Sequence, residues 1–569
     1  MPSPPTLHLW PGVVFAALLA LTRFIMPAVA PKAELFGLGT ALVAVAGGLL
    51  FAVAILVWWL FFSRAPWSER FIVLAAMVVA MFAIAPLTDI SLQNGLMGRM
   101  LYVYAFPPTL GLAVVIWAIA SRGVAPGPRR LAGVAAILIG CGVWTLARTD
   151  GLFWGLPQLA WRWTPTAEDR LLAQTRTDAP IPPTPVPVES ATPAASAAPA
   201  MPVPVAPPTT TPVETPAVST TREPEVARVE WAGFRGSDRD GAVRGLRINT
   251  DWSVSPPVEM WRRPVGPGWS SFAVSGDLFY TQEQRGEEEM VTCYKVSTGE
   301  PVWRHSDPVR FWESNGGAGP RGTPTIHSGR VFALGATGVL NALDARTGAV
   351  VWSRNAATDN ARTLPGWGFT SSPIVIGDVV IVATSGTMSG YDVATGAPRW
   401  TGPKQLESYS SPHRVTIDGV PQVILLSGSG AVAVAPATGA VLWQHDWPDG
   451  GTTIVYPAAI SRTDVLINTA SAMGGMGMRR LHVARAAATV PTASGWTVEE
   501  RWTSNGLKPY FNDYVIHKGY AFGFDGYIVS SINLEDGKRN WKGGRYGNGQ
   551  MILLADQDLL LVLSEEGWC

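Results

Sequence analysis

Apolar residues dominate the first 150 positions, where they form five nearly unbroken stretches. Each stretch is close to the ~20 residues that a helix needs to cross the hydrocarbon core of a bilayer. The stretches lie at about 9–30, 35–62, 71–87, 100–121 and 131–147. Residues 1–150 are therefore predicted to form a transmembrane domain of about five helices.

The first stretch has a second interpretation, a cleavable signal peptide. No basic segment precedes it and four more apolar stretches follow, which favours a membrane helix. It carries Arg23 near its outer end, where a long side chain is expected to extend to the headgroups. Few ionisable residues interrupt the stretches, so an anchor is favoured over a transport pathway.

Basic residues predict the orientation of this domain. The loops after the second and fourth stretches carry five of them: Arg64, Arg70, Arg122, Arg129 and Arg130. The opposite side carries three: Lys32, Arg99 and Arg148. The N-terminus is therefore expected inside the cell and everything after residue 150 outside. In a Gram-negative cell this arrangement places a multi-pass protein in the inner membrane, with its C-terminal part in the periplasm.

Two segments without an apolar core connect the helices to the rest of the chain. Residues 151–177 contain Trp154, Trp161 and Trp163, which predicts either a segment at headgroup level or a short helix packed on the bundle. Residues 178–227 are rich in Pro, Thr, Ala and Val and favour extended polyproline II over folding. At ~3.1 Å per residue this linker reaches at most about 150 Å. We expect it to let the outer domain stand away from the bilayer.

Residues 228–569 contain a repeated pattern, in which an alternating strand leads into a glycine turn and a tryptophan follows. It appears as CYKVSTGEPVW, LNALDARTGAVVW, GYDVATGAPRW, VAVAPATGAVLW and SINLEDGKRNW. WTVEERW and VEMW are partial copies. The tryptophans recur every 39 to 59 residues, the period of a four-stranded propeller blade: Trp261, Trp303, Trp352, Trp400, Trp443, Trp502 and Trp541.

The repeat has a physical explanation. The turn glycine adopts positive φ, and the strand after it delivers one large indole per blade. Such a ring buries about 150–250 Å² against the neighbouring blade. The predicted fold is therefore an all-β propeller, preceded by an α-helical membrane bundle and held together without metals or disulfides.

These segments resemble the pyrroloquinoline-quinone (PQQ) repeat family, whose consensus is close to AxDxxTGxxxW. The resemblance covers about residues 230 to 569, and WAGFRGSDRDG resembles the opening motif of bacterial members. The family includes PQQ-dependent dehydrogenases and non-catalytic propellers similar to BamB, an outer-membrane barrel-assembly lipoprotein. Both types commonly have eight blades, with an N-terminal strand closing the last one.

The blade count here is seven to eight, and the last blade departs from the pattern. The strand around Trp261 is expected to close the ring. GQMILLADQDLLLVLSEEGWC supplies two strands without a final glycine turn or tryptophan. This predicts either an imperfectly closed ring or a truncated member, and truncation is favoured because a bare apolar edge strand promotes aggregation.

Charge and metal-ligand spacing exclude several function classes. The chain has 43 basic and 43 acidic residues, so nothing indicates nucleic acid as a partner. Its three cysteines, Cys141, Cys293 and Cys569, are far apart, and no histidine pair has metal-ligand spacing. No metal site is expected.

Seven segments precede the innermost strands, and if all enter at one end they converge on one mouth of the channel. The candidate binding residues there are Trp269, Arg321, Trp367, Tyr409, His413, Tyr456, Tyr510, Asn512, Asp513 and Tyr546. Aromatic residues with a few polar groups are typical of binding surfaces. The alternative is that they only close the ring and satisfy backbone groups at strand ends.

Two functions follow from the resemblance. The first is a non-catalytic scaffold anchored in the bilayer, which holds a protein or peptide partner and acts in envelope or outer-membrane protein assembly. The second is a membrane-bound quinoprotein dehydrogenase that oxidises sugars or alcohols with PQQ and calcium. Such enzymes hold calcium with acidic and amide side chains, and the alcohol-oxidising types carry adjacent cysteines, which are missing here. We therefore expect a scaffold without catalytic residues or cofactor. A sensor is a third class, but no output domain accompanies the helices.

Overall fold

The computed structural model describes residues 8–30, 34–35, 38–153, 156–175, 230–448, 453–469, 477–486, 495–565 and 567. The predicted proline-rich linker, Trp154 and Cys569 lie outside these residues. Within them, helices form the N-terminal part and β-sheets the C-terminal part, which confirms the predicted fold class.

Five helices are long and apolar enough to cross a membrane. They are Trp10–Val29, Thr40–Phe62, Trp67–Leu87, Met100–Ala120 and Pro126–Leu146. Indole rings pack against glycines in the bundle: a Cβ added at Gly12 would lie 2.6 Å from Trp58, and one at Gly133 2.8 Å from Trp117. Small residues thus admit large rings close to the helix backbone, a common way for membrane helices to associate.

Arg23 turns into the bundle, whereas the sequence predicted that it would extend to the headgroups. The side chain is buried, and its Nη2 donates to the carbonyl of Tyr104 at 3.3 Å. Its guanidinium carbon lies 3.6 Å from the centre of the Tyr104 ring. A hydrogen bond and a cation–π contact give this charge an internal partner.

The segment after the last long helix is a hairpin followed by a short helix. Strand Ala147–Phe153 pairs antiparallel with Leu156–Trp161. Helix Ala167–Thr175, called the docking helix below, begins with a reciprocal cap between Thr166 and Asp169. The hairpin was not predicted. The short helix was one of the two alternatives, but it contacts the propeller, as described below.

Seven sheets form the propeller, and six of them have four antiparallel strands in chain order. Blade one consists of Ala273–Ser275, Leu278–Arg285, Glu288–Lys295 and Pro301–Asp307. Blade two consists of Thr325–His327, Arg330–Leu334, Val339–Asp344 and Val350–Asn355, and blade three of Ile374–Ile376, Val379–Thr384, Thr387–Asp392 and Pro398–Thr401. Blade four consists of His413–Ile417, Val420–Ser427, Gly430–Val434 and Val441–Asp446. Blade five consists of Ala458–Ala459, Asp464–Thr469, Gly477–Arg485 and Trp496–Ser504, and blade six of Tyr514–His517, Tyr520–Asp525, Ile528–Asn533 and Arg539–Arg545.

Blade seven is closed differently from the prediction. Strand Gln550–Leu554 pairs antiparallel with Leu559–Leu563 and parallel with Ala242–Val243. The expected closing strand around Trp261 is wrong, because residues 244–272 form no strand. In the described residues, Leu559–Leu563 is the outermost strand of blade seven, and no further strand pairs with it.

Five indoles connect each blade to the next in one repeated geometry. Each indole N–H donates to a backbone carbonyl three residues before the turn glycine of the following blade. The pairs are Trp261 to Val296, Trp303 to Ala345, Trp352 to Val393, Trp400 to Pro436 and Trp502 to Leu534, at 2.8 to 3.1 Å. Each ring also lies on that glycine, where a Cβ would be 2.4 to 2.8 Å away.

Two tryptophans of the series lack this contact. Trp443 donates to Oε1 of Gln422 in its own blade at 2.7 Å, and among the described residues of blade five no turn glycine lies against its ring. Trp541 is 41% exposed, since blade seven offers it no such turn among the described residues.

The docking helix holds blade one against the membrane domain. Glu168 accepts from both terminal nitrogens of Arg310 at 2.8 and 2.9 Å and from the amide of Gly286 at 2.8 Å. Ser314 donates to the carbonyl of Asn94, in helix Ile90–Gly98, at 2.8 Å. Although the linker was expected to hold the propeller away from the bilayer, one edge of the propeller contacts the helical part.

Reversing the charge of Glu168 should detach this edge. The variant Glu168→Arg places two cations together, whereas Glu168→Arg with Arg310→Glu restores an ion pair of opposite polarity. With cysteines at positions 94 and 314, we expect disulfide formation in membranes to fall about fivefold or more in the single variant and to recover in the double variant. Glu259→Arg, which breaks an exposed pair with Arg262, is the control and should change nothing. Equal crosslinking in all variants would contradict the docking.

Candidate functional site

The first strands of the blades line a central channel with two different ends. We call the end that carries the glycine turns the turn face, and the end where one blade leads into the next the loop face. Residues 230–243, ahead of the blades, cross the channel on the turn-face side. We call this segment the plug.

The plug joins the ring at both of its ends through backbone hydrogen bonds. Trp231 exchanges two of them with Val274 of blade one, at 3.0 and 2.6 Å. The carbonyl of Ala232 accepts from Ile326 of blade two at 2.8 Å. At the other end, Ala242–Val243 extends the sheet of blade seven.

Arg239 connects the plug to three blades at once. It is 5% exposed, and its guanidinium donates to the carbonyls of Ser372 and Pro412, both at 3.2 Å, and to the carbonyl of Pro373. Its fourth partner is the hydroxyl of Thr325 at 3.3 Å. None of these partners is a carboxylate, so the charge is held by backbone dipoles, and burial lowers the pKa of Arg239.

Arg235 and Phe234 attach the plug to blades five and six. Nη1 of Arg235 lies 3.3 Å from the carboxylate of Asp513, and Nη2 donates to the carbonyl of Tyr514. The ring of Phe234 meets that of Tyr456 edge to face, with centres 5.4 Å apart. The plug therefore contacts all seven blades.

Four of the candidate binding residues are buried at or near the level of the plug: His413, Tyr456, Asn512 and Asp513. Burial and the nearby Arg239 lower the pKa of His413 to about 3, so the imidazole is neutral at pH 7. Burial raises the pKa of Asp513, against the opposite effect of Arg235. Inside the channel these residues face the chain's own plug.

Two further candidates lie together on the loop face, between blades one and two. Trp269 is 59% exposed, but its indole N–H donates to the carbonyl of Gly316 at 2.7 Å and its amide to that of Pro320 at 2.8 Å. Arg321 is buried, pairs with Glu313 at 3.2 Å and lies over the ring of Phe311. The exposed ring is therefore fixed in position before any partner binds.

The remaining four candidates each lie in a loop that leads into a blade. These are Trp367 before blade three, Tyr409 before blade four, Tyr510 before blade six and Tyr546 before blade seven. The rings of Trp367 and Tyr409 are 5.1 Å apart, and the Tyr409 hydroxyl donates to Glu407. Tyr510 packs against Phe511 at 5.2 Å, and Tyr546 is 36% exposed. These aromatics form separate pairs around the loop face; the structure records no contact that joins all of them.

Sequence reasoning missed Phe234, Arg235 and Arg239. Their signal is present in WAGFRGSDRDG, where two arginines stand among glycines and aspartates ahead of the first blade. The repeat pattern drew attention to the blades, while the plug belongs to none of them.

The residues around the channel do not fit a calcium-bound quinone. Among the described residues, no three His, Cys, Asp or Glu side chains are grouped so that they could hold a metal ion. Asp513 is engaged by Arg235 and by the amide of Tyr456 at 3.2 Å, and Oδ1 of Asn512 accepts from Tyr510. The adjacent acidic and amide side chains therefore already have protein partners.

Comparisons with known proteins match this propeller. Residues 249–430 match the family described as outer membrane protein assembly factor BamB. BamB of Shewanella oneidensis is 27% identical over 190 residues, which cover 31% of this chain and 44% of that protein. The chain spans less than half the length of the curated relatives it matches.

Solved structures with lower identity are also similar to this chain. BamB from Moraxella catarrhalis is 17% identical with a TM-score of 0.36, covering 53% of this chain and 80% of that structure. Quinohemoprotein alcohol dehydrogenase from Comamonas testosteroni is 12% identical with a TM-score of 0.33, covering 57% and 75%. Residues 249–430 of this chain are thus similar to the BamB-like PQQ repeat family, and the described part of the chain also contains five helices that are long and apolar enough to span a membrane.

Proposed function

We propose that this chain is a membrane-anchored, non-catalytic scaffold that binds a protein or peptide partner through the loop face of its propeller. We place the propeller in the periplasm and the helices in the inner membrane of a Gram-negative cell. Its work concerns the envelope or the assembly of outer-membrane proteins. This role is supported by the similarity to BamB proteins, which are outer membrane protein assembly factors.

The pre-positioned Trp269 ring is the observation that carries the proposal. The indole N–H and the backbone amide of Trp269 are both hydrogen-bonded, so the exposed ring loses little conformational freedom when a partner covers it. Tryptophan is also among the residues that contribute most to protein interfaces. The plug supports the same conclusion, because its own side chains already occupy the channel.

Photo-crosslinking tests the proposed binding face. A photoreactive amino acid is placed at position 269 or 367 of the full chain in its native membrane, and at Val350, an exposed outer-strand residue, as the control. We expect a discrete protein adduct from the two loop-face positions and none from position 350. Equal adduct patterns from all three positions would contradict the proposal.

An activity assay tests the absence of catalysis. The purified full chain is supplied with PQQ and calcium and assayed for oxidation of sugars and alcohols. We expect no turnover. A stoichiometric bound quinone with turnover would replace the scaffold by a dehydrogenase.

A further inference from the structure

The two faces of blade one differ in character. The face toward blade two is apolar, and the face toward blade seven is charged. On the side of blade two, Tyr280, Val291, Cys293 and Trp303 belong to an apolar cluster. On the other side, Glu283 and Arg285 alternate with these positions along strand Leu278–Arg285. Three arginines meet there: Arg263, Arg285 and Arg304. We call them the arginine cluster.

A single carboxylate, that of Glu283, lies among the three guanidinium groups. Nη2 of Arg285 lies 3.0 Å from Oε1 of Glu283 and 3.3 Å from the hydroxyl of Tyr294. The guanidinium carbon of Arg263 is 5.5 Å from the centre of the Tyr294 ring. Arg304 lies in the strand beyond, where it is paired with Thr292.

Glu283 has no capacity left for the other two arginines. Its oxygens already accept from the Tyr294 hydroxyl at 2.7 Å, from Arg285 and from the amide of Gly266. The Nε atoms of Arg263, Arg285 and Arg304, and Nη1 of Arg285, are buried without a hydrogen-bond partner in the described part of the chain. Arg285 itself is 6% exposed.

This arrangement leaves two positive charges and several aligned donors without compensation. Buried donors without partners are costly, and buried charges are normally paired. Arg262, which is next to the cluster in sequence, shows the ordinary solution: it is exposed and pairs with Glu259 at 2.6 Å. Among the described residues, Glu283 pairs with Arg285 only, and Arg263 and Arg304 lack an anionic partner.

A cavity lies beside the cluster and is lined by one of its members, Arg263, whereas Arg285 and Arg304 do not line it. Its volume is about 280 Å³, and Arg262, Arg263, Trp261 and Thr298 line it together with Leu171 and Gln174 of the docking helix. A tetrahedral phosphate group is small enough for this space, and planar guanidinium groups bind its oxygens bidentately. A dianion also matches the excess charge of the cluster.

We propose that the arginine cluster is a binding site for a phosphate group, carried either by inorganic phosphate or by an anionic lipid headgroup. The docking helix, which follows the membrane domain, forms one wall of the cavity. Binding at this site is independent of the proposed partner on the loop face. Failure of either proposal leaves the other standing.

To test inorganic phosphate as the source, the full chain in detergent is titrated with it, and binding is measured by the broadening of the ³¹P line. Short-chain phosphatidic acid, with phosphatidylcholine of the same chain length as the reference, tests the lipid headgroup as the source. We expect saturable binding of at least one phosphate compound. Arg263→Gln and Arg304→Gln should each weaken it about tenfold or more, because each removes a charged donor.

Arg462→Gln is the control, because Arg462 is 87% exposed in blade five and does not line the cavity, and it should bind as the parent does. Thermal unfolding of each variant shows that it is folded. Binding of inorganic phosphate identifies a free anion, and binding of phosphatidic acid alone identifies a headgroup. No binding of either compound, or unchanged binding in both Arg263→Gln and Arg304→Gln, would overturn the proposal.

Discussion

Replacing Trp352 by alanine is expected to lower the free energy of unfolding of the propeller by about 3–5 kcal/mol. The indole is 7% exposed and belongs to the apolar cluster between blades two and three. Its removal leaves a cavity there and frees the carbonyl of Val393 from its hydrogen bond. Protease resistance of the full chain across a urea series gives the change in midpoint.

Trp541 is the matched control, because it occupies the same repeat position without a following glycine turn. Its ring is 41% exposed, so Trp541→Ala should change the free energy by less than about 1 kcal/mol. Equal losses in both variants would show that the indoles stabilise their own blades and not the contact with the next blade.

The turn glycines allow a second test of the same contact. Gly396 has φ +71°, and an added Cβ would lie 2.6 Å from Trp352. Gly419 has φ +75° with open space around it. Both alanine variants carry the strain of positive φ, and only Gly396→Ala must also displace an indole. We therefore expect the larger loss at Gly396.

The repeat was predictable because one local rule produces every blade. A turn glycine and a tryptophan at fixed spacing determine both the hairpin and the contact with the next blade. One copy of the repeat is therefore enough to predict both features. Trp443 shows the limit of the rule. It has the motif, but no turn glycine lies against its ring among the described residues of the neighbouring blade, and its indole bonds to Gln422 within its own blade.

The plug was not predictable in this way, because its contacts are distant in sequence. Arg239 bonds to residues 133 and 173 positions further along the chain. No periodicity in the sequence marks those acceptors, which are backbone carbonyls at the starts of strands. The same applies to Asp513, which the sequence presented as a candidate binding residue and which the structure pairs with Arg235.

The candidate residues fall into a buried group and a more exposed group, and residue type alone does not predict which residue belongs to which group. Tyr456 and Tyr510 precede comparable strands, yet Tyr456 contacts the plug and Tyr510 packs on Phe511. Their roles differ because the plug crosses the channel at one depth only. A partner that binds the loop face therefore meets the exposed aromatics, while the deeper residues already hold the plug.

Arg239 is the residue on which the plug depends most. Arg239→Met removes the charge and leaves the carbonyls of Ser372, Pro373 and Pro412 without their donor. A buried acceptor left without its donor costs about 1–3 kcal/mol, so we expect the loss of three to reach about 3 kcal/mol or more. Arg239→Lys keeps the charge, but a compact ammonium cannot reach three blades with planar geometry, so we expect an intermediate loss.

Arg244→Gln provides the control within the same segment, because Arg244 is 53% exposed and pairs with Asp240 and Asp238 at the surface. A surface pair of this kind contributes at most about 1 kcal/mol. Urea unfolding of the full chain, followed by protease resistance, should rank the loss as methionine above lysine above the Arg244 control. The same experiment should show faster cleavage within residues 230–243 in Arg239→Met, because the plug then loses its hydrogen bonds to the carbonyls that lead into blades three and four. A methionine variant as stable as the Arg244 control would mean that the backbone pairing at the two ends of the plug holds it without the buried guanidinium.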